Sequence, residues 1–196
     1  MKSLWKIGLL SLVLLVPAMT QAQDDSLVKW TYVEAGYMDL DAGQGVVGDL
    51  ESDGYFLGGS FGFKMIHIIG QWDNTDGDQF EDRRWDLGVG WHGLLGDRAD
   101  LYADLAYQRQ ESKIHGFPSN SETGGLVRVG ARWRPIKLFE AEGQLFYQDL
   151  GDRNLGYKLR AMIHIWRVAV GLSWSAVDTQ IDQSQMATVF ARFNFK

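Results

Sequence analysis

Trp85-Asp86-Leu87-Gly88-Val89-Gly90-Trp91-His92 changes character at every residue. Trp85, Leu87, Val89 and Trp91 share one parity; Asp86, Gly88, Gly90 and His92 share the other. Successive side chains of a β-strand point to opposite faces, so the stretch predicts a strand with one greasy and one polar face. From Val127 the pattern returns, with Val127, Val129, Ala131 and Trp133 set against Arg128, Gly130, Arg132 and Arg134. A soluble sandwich would alternate in the same way. Here aromatics cap both ends of the apolar faces and charges crowd the opposite ones, the pattern of a barrel in lipid with a wet or charge-filled interior.

Working outward, about ten such segments follow one another: 29–40, 54–64, 65–73, 83–92, 99–110, 124–134, 138–149, 155–165, 167–177 and 186–195. Each is near the roughly 9–11 residues that a tilted strand needs to cross a bilayer. Two junctions decide between ten strands and eight. Tyr55, Leu57, Phe61 and Phe63 are odd-numbered, but Ile66, Ile68 and Trp72 are even. Tyr157, Leu159, Ile163 and Ile165 likewise give way to Val168, Val170, Leu172 and Trp174. One strand cannot switch faces without a bulge, whereas a two-residue turn at Lys64-Met65 and at Trp166-Arg167 restores the pattern. Ten strands are therefore expected, although neither turn has the Asn-Gly or Gly-x chemistry of tight hairpins; eight is the alternative. The connections at 64–65, 93–98, 135–137 and 166–167 are short, and those at 41–53, 74–82, 111–123, 150–154 and 178–185 read as polar, mostly longer loops. In outer-membrane barrels the short turns are periplasmic and the loops extracellular, which puts both termini on the periplasmic side.

The chain begins with Lys2 and Lys6, an apolar run from Ile7 to Val16, and small residues at Thr20 and Ala22. This reads as a secretory signal peptide, 1–22, cut after Ala22, with 23–196 as one barrel domain. The apolar run is shorter than the ~20 residues of a spanning helix, which argues against an anchor. The whole chain carries a formal net charge of −6, and an acidic exported protein is a poor binder of nucleic acid. It contains no cysteine, so a disulfide framework does not hold this fold. Pro118 and Pro135 fall between the periodic stretches, as they should if those stretches are hydrogen-bonded strands.

Face assignment by parity sorts the large side chains. Tyr37, Tyr55, Trp72, Trp85, Tyr107, Tyr147, Tyr157 and Trp174 fall near the loop end, and Phe63, Trp91, Trp133, Phe139 and Phe195 near the turn end. Two aromatic girdles at the headgroup levels would look like this. The inward set is charged: Glu34, Asp86, Asp100, Asp104, Arg128, Arg132, Arg134, Glu140, Glu142, Lys158, Arg160 and Arg192. Neighbouring strands five to eight carry acid, base, acid, base in turn, and Arg192 meets Glu34 at the seam. An arginine facing lipid at mid-membrane costs about 2–4 kcal/mol, so these groups are expected in the lumen, paired with one another. Inward Phe56, Tyr102, Phe146, Met162 and Phe190 favour a plugged interior; inward Gly58, Gly62, Gly88, Gly90, Gly130 and Gly171 leave room for a channel.

No catalytic constellation stands out. His115 falls in a loop, and His67, His92 and His164 map inward near the short turns, far from the outer leaflet where barrel enzymes work. Asp86 with His67 or His92 is a possible acid–histidine pair, but no nucleophile elbow is present. Asp73-Asn74-Thr75-Asp76-Gly77-Asp78 with Glu81 and Asp82 loosely follows a calcium loop, yet the twelfth position holds Arg84 rather than a bidentate glutamate. A solvated acidic loop is the expectation, with divalent-cation bridging to lipopolysaccharide as the alternative. Lys64, Arg134, Lys137 and Arg167 read as rim charges. No enzyme, cofactor or metal site is expected.

The terminal stretch Val189-Phe190-Ala191-Arg192-Phe193-Asn194-Phe195-Lys196 has aromatics at alternate outward positions. It resembles the assembly signal of outer-membrane barrels that is read by the barrel assembly machinery, departing from it in ending on Lys196. With the leader, patterning and girdles, the chain resembles the class of OmpX-like and OmpA-like small outer-membrane barrels. Tyr32-Val33-Glu34-Ala35-Gly36-Tyr37 also resembles the opening strand of small outer-membrane proteins of diffusible-signal-regulated systems. The resemblance implies a Gram-negative outer-membrane location, lipid and lipopolysaccharide as surroundings, and a monomer. It does not imply a role. A non-enzymatic barrel with a salt-bridged lumen and displayed loops is the first expectation. A narrow porin-like channel, with Arg128, Arg132, Arg160, Asp104 and Glu142 setting selectivity, is the second, and an outer-membrane enzyme the third.

Overall fold

The computed structural model describes residues 27–45, 48–77, 80–114, 116–178 and 183–195. The expected signal peptide and its cut after Ala22 lie outside them, as do His115, Asp78 and Lys196. Ten strands run β1 (Tyr32–Gly45), β2 (Gly48–Phe63), β3 (Ile66–Gly77), β4 (Phe80–Leu94), β5 (Ala99–Ile114), β6 (Asn120–Ile136), β7 (Phe139–Leu150), β8 (Asp152–Ile165), β9 (Val168–Asp178) and β10 (Gln183–Asn194). Each pairs antiparallel with its sequence neighbour, and β1 pairs with β10 to close the barrel. The described residues contain no helix.

Both parity breaks are hairpin turns. Phe63 pairs with Ile66, and Ile165 with Val168, so two residues make each connection. Lys64 and Trp166 supply the positive φ that such turns require, at 54° and 60°. A residue with a β-carbon adopts that conformation at a cost of about 1–2 kcal/mol. Shifting the faces of a whole strand would put several apolar side chains in the lumen and several charges in lipid, a far larger penalty. The turn chemistry therefore yields to the faces.

Two expectations need correction. The segments expected as loops are largely strand. β5 and β6 are 16 and 17 residues long, β1 and β2 still pair at Gly45–Gly48, and Gly151 alone joins β7 to β8. Above the membrane both faces of a hairpin meet water, so the ladder continues while the alternation that reveals it disappears. Pro135 also lies inside β6, at a register shift between Trp133 and Ile136. In that bulge its missing N–H removes no ladder bond.

The burial pattern is inverted relative to a soluble domain. Leu57, Phe61, Ile68, Leu105 and Leu172 are all more than half exposed, whereas Arg132, Arg192, Asp100 and Glu140 are almost wholly enclosed. A continuous apolar exterior around a charged interior suits lipid, not water.

Candidate functional site

The lumen is the site, and its turn half is filled by a segment that precedes the first strand. Residues 27–31 enter the barrel mouth. The peptide oxygens of Leu27 and Lys29 accept hydrogen bonds from Arg134 at 2.7 Å and Arg132 at 3.0 Å. Phe195 N–H donates to Thr31 O at 3.0 Å. Trp30 stacks on the neighbouring His67 and His92 rings, with centroids 4.5 and 4.3 Å away and the two imidazoles 5.3 Å from each other, and its Nε1–H donates to Asp100 at 2.6 Å. The Arg132 guanidinium sits 4.6 Å from the same ring, a cation–π contact strengthened by exclusion of water. The first strand thus begins at Tyr32 rather than at residue 29. Lys29 and Trp30 leave the wall because their backbone groups find arginine and side-chain partners instead of a ladder.

Around this plug the charges meet across strands. Arg132 donates to Glu140 at 2.9 Å, with Arg192 3.7 Å and His164 3.0 Å from the same carboxylate. Arg192 and Arg160 converge on Glu34 at 2.8 and 2.7 Å, closing the β1–β10 seam. Arg160 also lies 3.6 Å from Glu142, which the Tyr102 hydroxyl reaches at 2.7 Å. Arg128 bridges Asp86 and Asp104 at 3.5 and 3.3 Å, and His67 contacts Asp104 at 2.8 Å. A buried charge is tolerated only when paired and hydrogen-bonded, which explains why nearly every arginine here touches a carboxylate.

The inward glycines do not leave room. A β-carbon on Gly90 would collide with Asp104 and His67, one on Gly130 would lie 2.7 Å from the Tyr102 ring, and one on Gly171 2.6 Å from Phe190. On Gly62 it would meet Trp30 at 2.7 Å, and on Gly88 Ala106 at 2.6 Å. These glycines make space that large neighbours already occupy. Gly58 alone of the six has only ordinary contact distances.

The loop half is different. A cavity of about 200 Å³ opens there and reaches down to a floor at Trp30 and Arg132, lined on one side by Asp73, Arg84, Gln71, Gln108 and Arg128 and on the other by Phe146, Lys158, Ser175 and Met186. Met38, Phe56, Met162, Ala169 and Phe190 form an apolar cluster against which Met186 packs. Arg84 pairs with Asp73 at 2.5 Å. The loosely calcium-like segment therefore belongs to β3 and β4, with its first acid tied to an arginine, and no group of acids and histidines among the described residues could hold a metal. Lys158 faces the same lumen, but among the described residues no carboxylate lies within 4.0 Å of it, and Glu34, Asp73 and Glu142 act on it from a greater distance.

On the outside, Tyr55 and Trp72, and Tyr157 and Trp174, meet edge to face across adjacent strands with centroids 5.5 and 5.2 Å apart, and Trp85 and Tyr107 pack tilted at 5.5 Å. Tyr37 and Tyr147 share this exposed band. Near the turns Trp133 and Phe195 are exposed, while Trp91 is half-buried.

No protein-family model matches the chain, and no curated protein matches it. Solved structures do. The NanC porin superposes with a TM-score of 0.54 at 8% identity, over 84% of this chain and 100% of that one. The translocator domain of the autotransporter NalP from Neisseria meningitidis gives 0.50 at 9%, over 96% of each. The attachment invasion locus protein Ail of Yersinia pestis, in complex with the heparin analogue sucrose octasulfate, gives 0.48 at 14%, over 86% and 100%. The fold is that of a small outer-membrane β-barrel. At these identities the likeness extends to the fold and not to the role.

Within this outer-membrane barrel fold, sequence reasoning missed Trp30 and Tyr32. Their even numbers match the inward parity of Glu34, and Tyr32 stacks 3.9 Å beneath the Arg192 guanidinium. Extending the parity two and four residues upstream of Glu34 would have placed both in the lumen.

Proposed function

We propose that the chain is a non-enzymatic barrel of the Gram-negative outer membrane whose lumen is closed to solute flow and whose paired hairpins stand above the outer leaflet for contact with lipopolysaccharide, surfaces or other proteins. The single observation that carries this reading is the Trp30 plug, stacked on the adjacent rings of His67 and His92 and fastened to Asp100. Short turns lie at the plugged end, which is therefore the periplasmic one. Closure of the ladder satisfies every wall backbone group in lipid. His67 and His164 contact Asp104 and Glu140, so they serve the network rather than a reaction. The outward aromatics at the end of the chain, Phe193 in β10 and Phe195 just after it, lie 5.2 Å apart and suit recognition by the assembly machinery. A monomer fits a wall whose exterior is wholly occupied by lipid-facing side chains.

The cavity at the loop end favours a second reading, a narrow channel for small polar solutes. Planar-bilayer conductance of the refolded protein separates the two, with heat-modifiable gel mobility as the folding control. The folded wild-type barrel is expected to be silent, and Trp30→Gly is expected to raise conductance above that baseline. Steady ion-selective conductance from the wild type would replace the closed barrel with the channel.

A further inference from the structure

Five cationic side chains line the loop-end cavity: Arg84, Arg128, Arg132, Lys158 and Arg160. Four of them are committed to carboxylates, to Asp73, to Asp86 and Asp104, to Glu140, and to Glu34 and Glu142. Lys158 is the exception among the described residues. Its register partners are Gln144 on β7 and Ser175 on β9, a neutral amide and a hydroxyl. An ammonium at membrane depth requires a counter-charge or water, and among the described residues no carboxylate approaches within 4.0 Å, Glu34, Asp73 and Glu142 acting on Lys158 only from farther off. Beside it the wall is apolar, with Phe146 on one side and Met186 on the other. A single cation, flanked by two groups able to donate hydrogen bonds and backed by an aromatic and a thioether, describes a mixed polar and apolar pocket. Its 200 Å³ is below the roughly 300–1,000 Å³ of pockets for drug-sized ligands, so the ligand is small.

We propose that this cavity is a blind, outward-facing binding site for a small amphipathic carboxylate. The carboxylate lies on Lys158, with Gln144 and Ser175 donating to it, and the apolar body rests against Phe146 and Met186. The committed arginines cannot take Lys158's part, because drawing one away would strand its own buried carboxylate. A neutral solute leaves Lys158 unpaired, and a multiply charged one meets Asp73, Asp86 and Asp104. A monocarboxylate is the class that fits.

The inference uses the closed-lumen reading in one respect only, that the site is blind. Its test is calorimetric titration of the folded full barrel with benzoate, and with benzyl alcohol as a neutral counterpart of similar size. Saturable benzoate binding is expected, at least tenfold weaker in Lys158→Met and retained in Lys158→Arg, with benzyl alcohol at least tenfold weaker than benzoate. Gel mobility shows that each variant is folded. Absence of saturable benzoate binding, equal binding of benzyl alcohol, or indifference to Lys158→Met overturns the site. A barrel that binds benzoate through Lys158 and also conducts keeps the site and overturns closure; a silent barrel that does not bind does the reverse.

Discussion

The two halves of the lumen are walled by the same alternating strands and end up unlike. The turn half is blocked by Trp30, Arg132, Glu140 and Arg192 in successive contact, with an open recess of about 430 Å³ only at its mouth, beside Leu27, Arg134, His164 and Asn194. The loop half holds a cavity edged by Lys158 and Phe146. Alternation dictates which side of the wall a residue faces, and it does so equally in both halves. What fills the space is decided by three other things: a segment outside the sheet, the placement of glycines opposite large side chains, and whether each charge finds its counterpart at the offset that strand tilt creates.

If that contrast is right, the costliest single change lies in the turn half. Glu140→Ala leaves Arg132 and Arg192 buried without their shared acid and should destabilise the barrel by about 3–5 kcal/mol, measured by urea unfolding with the heat-modifiable band as readout. Asp82→Ala, whose partners at the loop end are Gln110 and Ser112, should cost far less; equal losses would erase the distinction between the halves. Next in size, Gly90→Ala forces a methyl into Asp104 and His67 and should cost about 1–3 kcal/mol. Gly58→Ala, with its nearest neighbour at 3.5 Å, should be close to neutral by the same unfolding assay, and a Gly58→Ala loss as large would mean that the lumen is tight throughout. The smallest effect is expected from Arg83→Ala above the membrane. Its pairing with Glu81 is largely exposed, and exposed pairs contribute about 0–1 kcal/mol.

The strands and their faces were legible because parity is a local property. The switch from Phe63 to Ile66 revealed a hairpin that turn chemistry did not advertise. The extension of β1, β2, β5 and β6 into the expected loops was not legible, since a strand with water on both sides has no preferred face. Pairing within the site was only partly legible. Arg192 and Glu34 are opposite in register and do meet. Arg132 is opposite both Asp100 and Glu142, yet it donates to Glu140, two residues along the neighbouring strand, while Trp30 takes Asp100. That Lys158 has no carboxylate within ion-pairing distance depends on three-dimensional offset, not on neighbours in the chain.

The most direct test of the two-half account uses the absence of cysteine from the chain. Single variants Gln148→Cys, on the loop-end cavity, and Asn194→Cys, at the turn-end mouth, are exposed to a membrane-impermeant thiol reagent on intact cells. Reaction of Gln148→Cys alone, with Asn194→Cys reacting only after the periplasmic side is opened, is the predicted result. Labelling of both from outside would show a continuous path through the lumen and contradict the closed barrel.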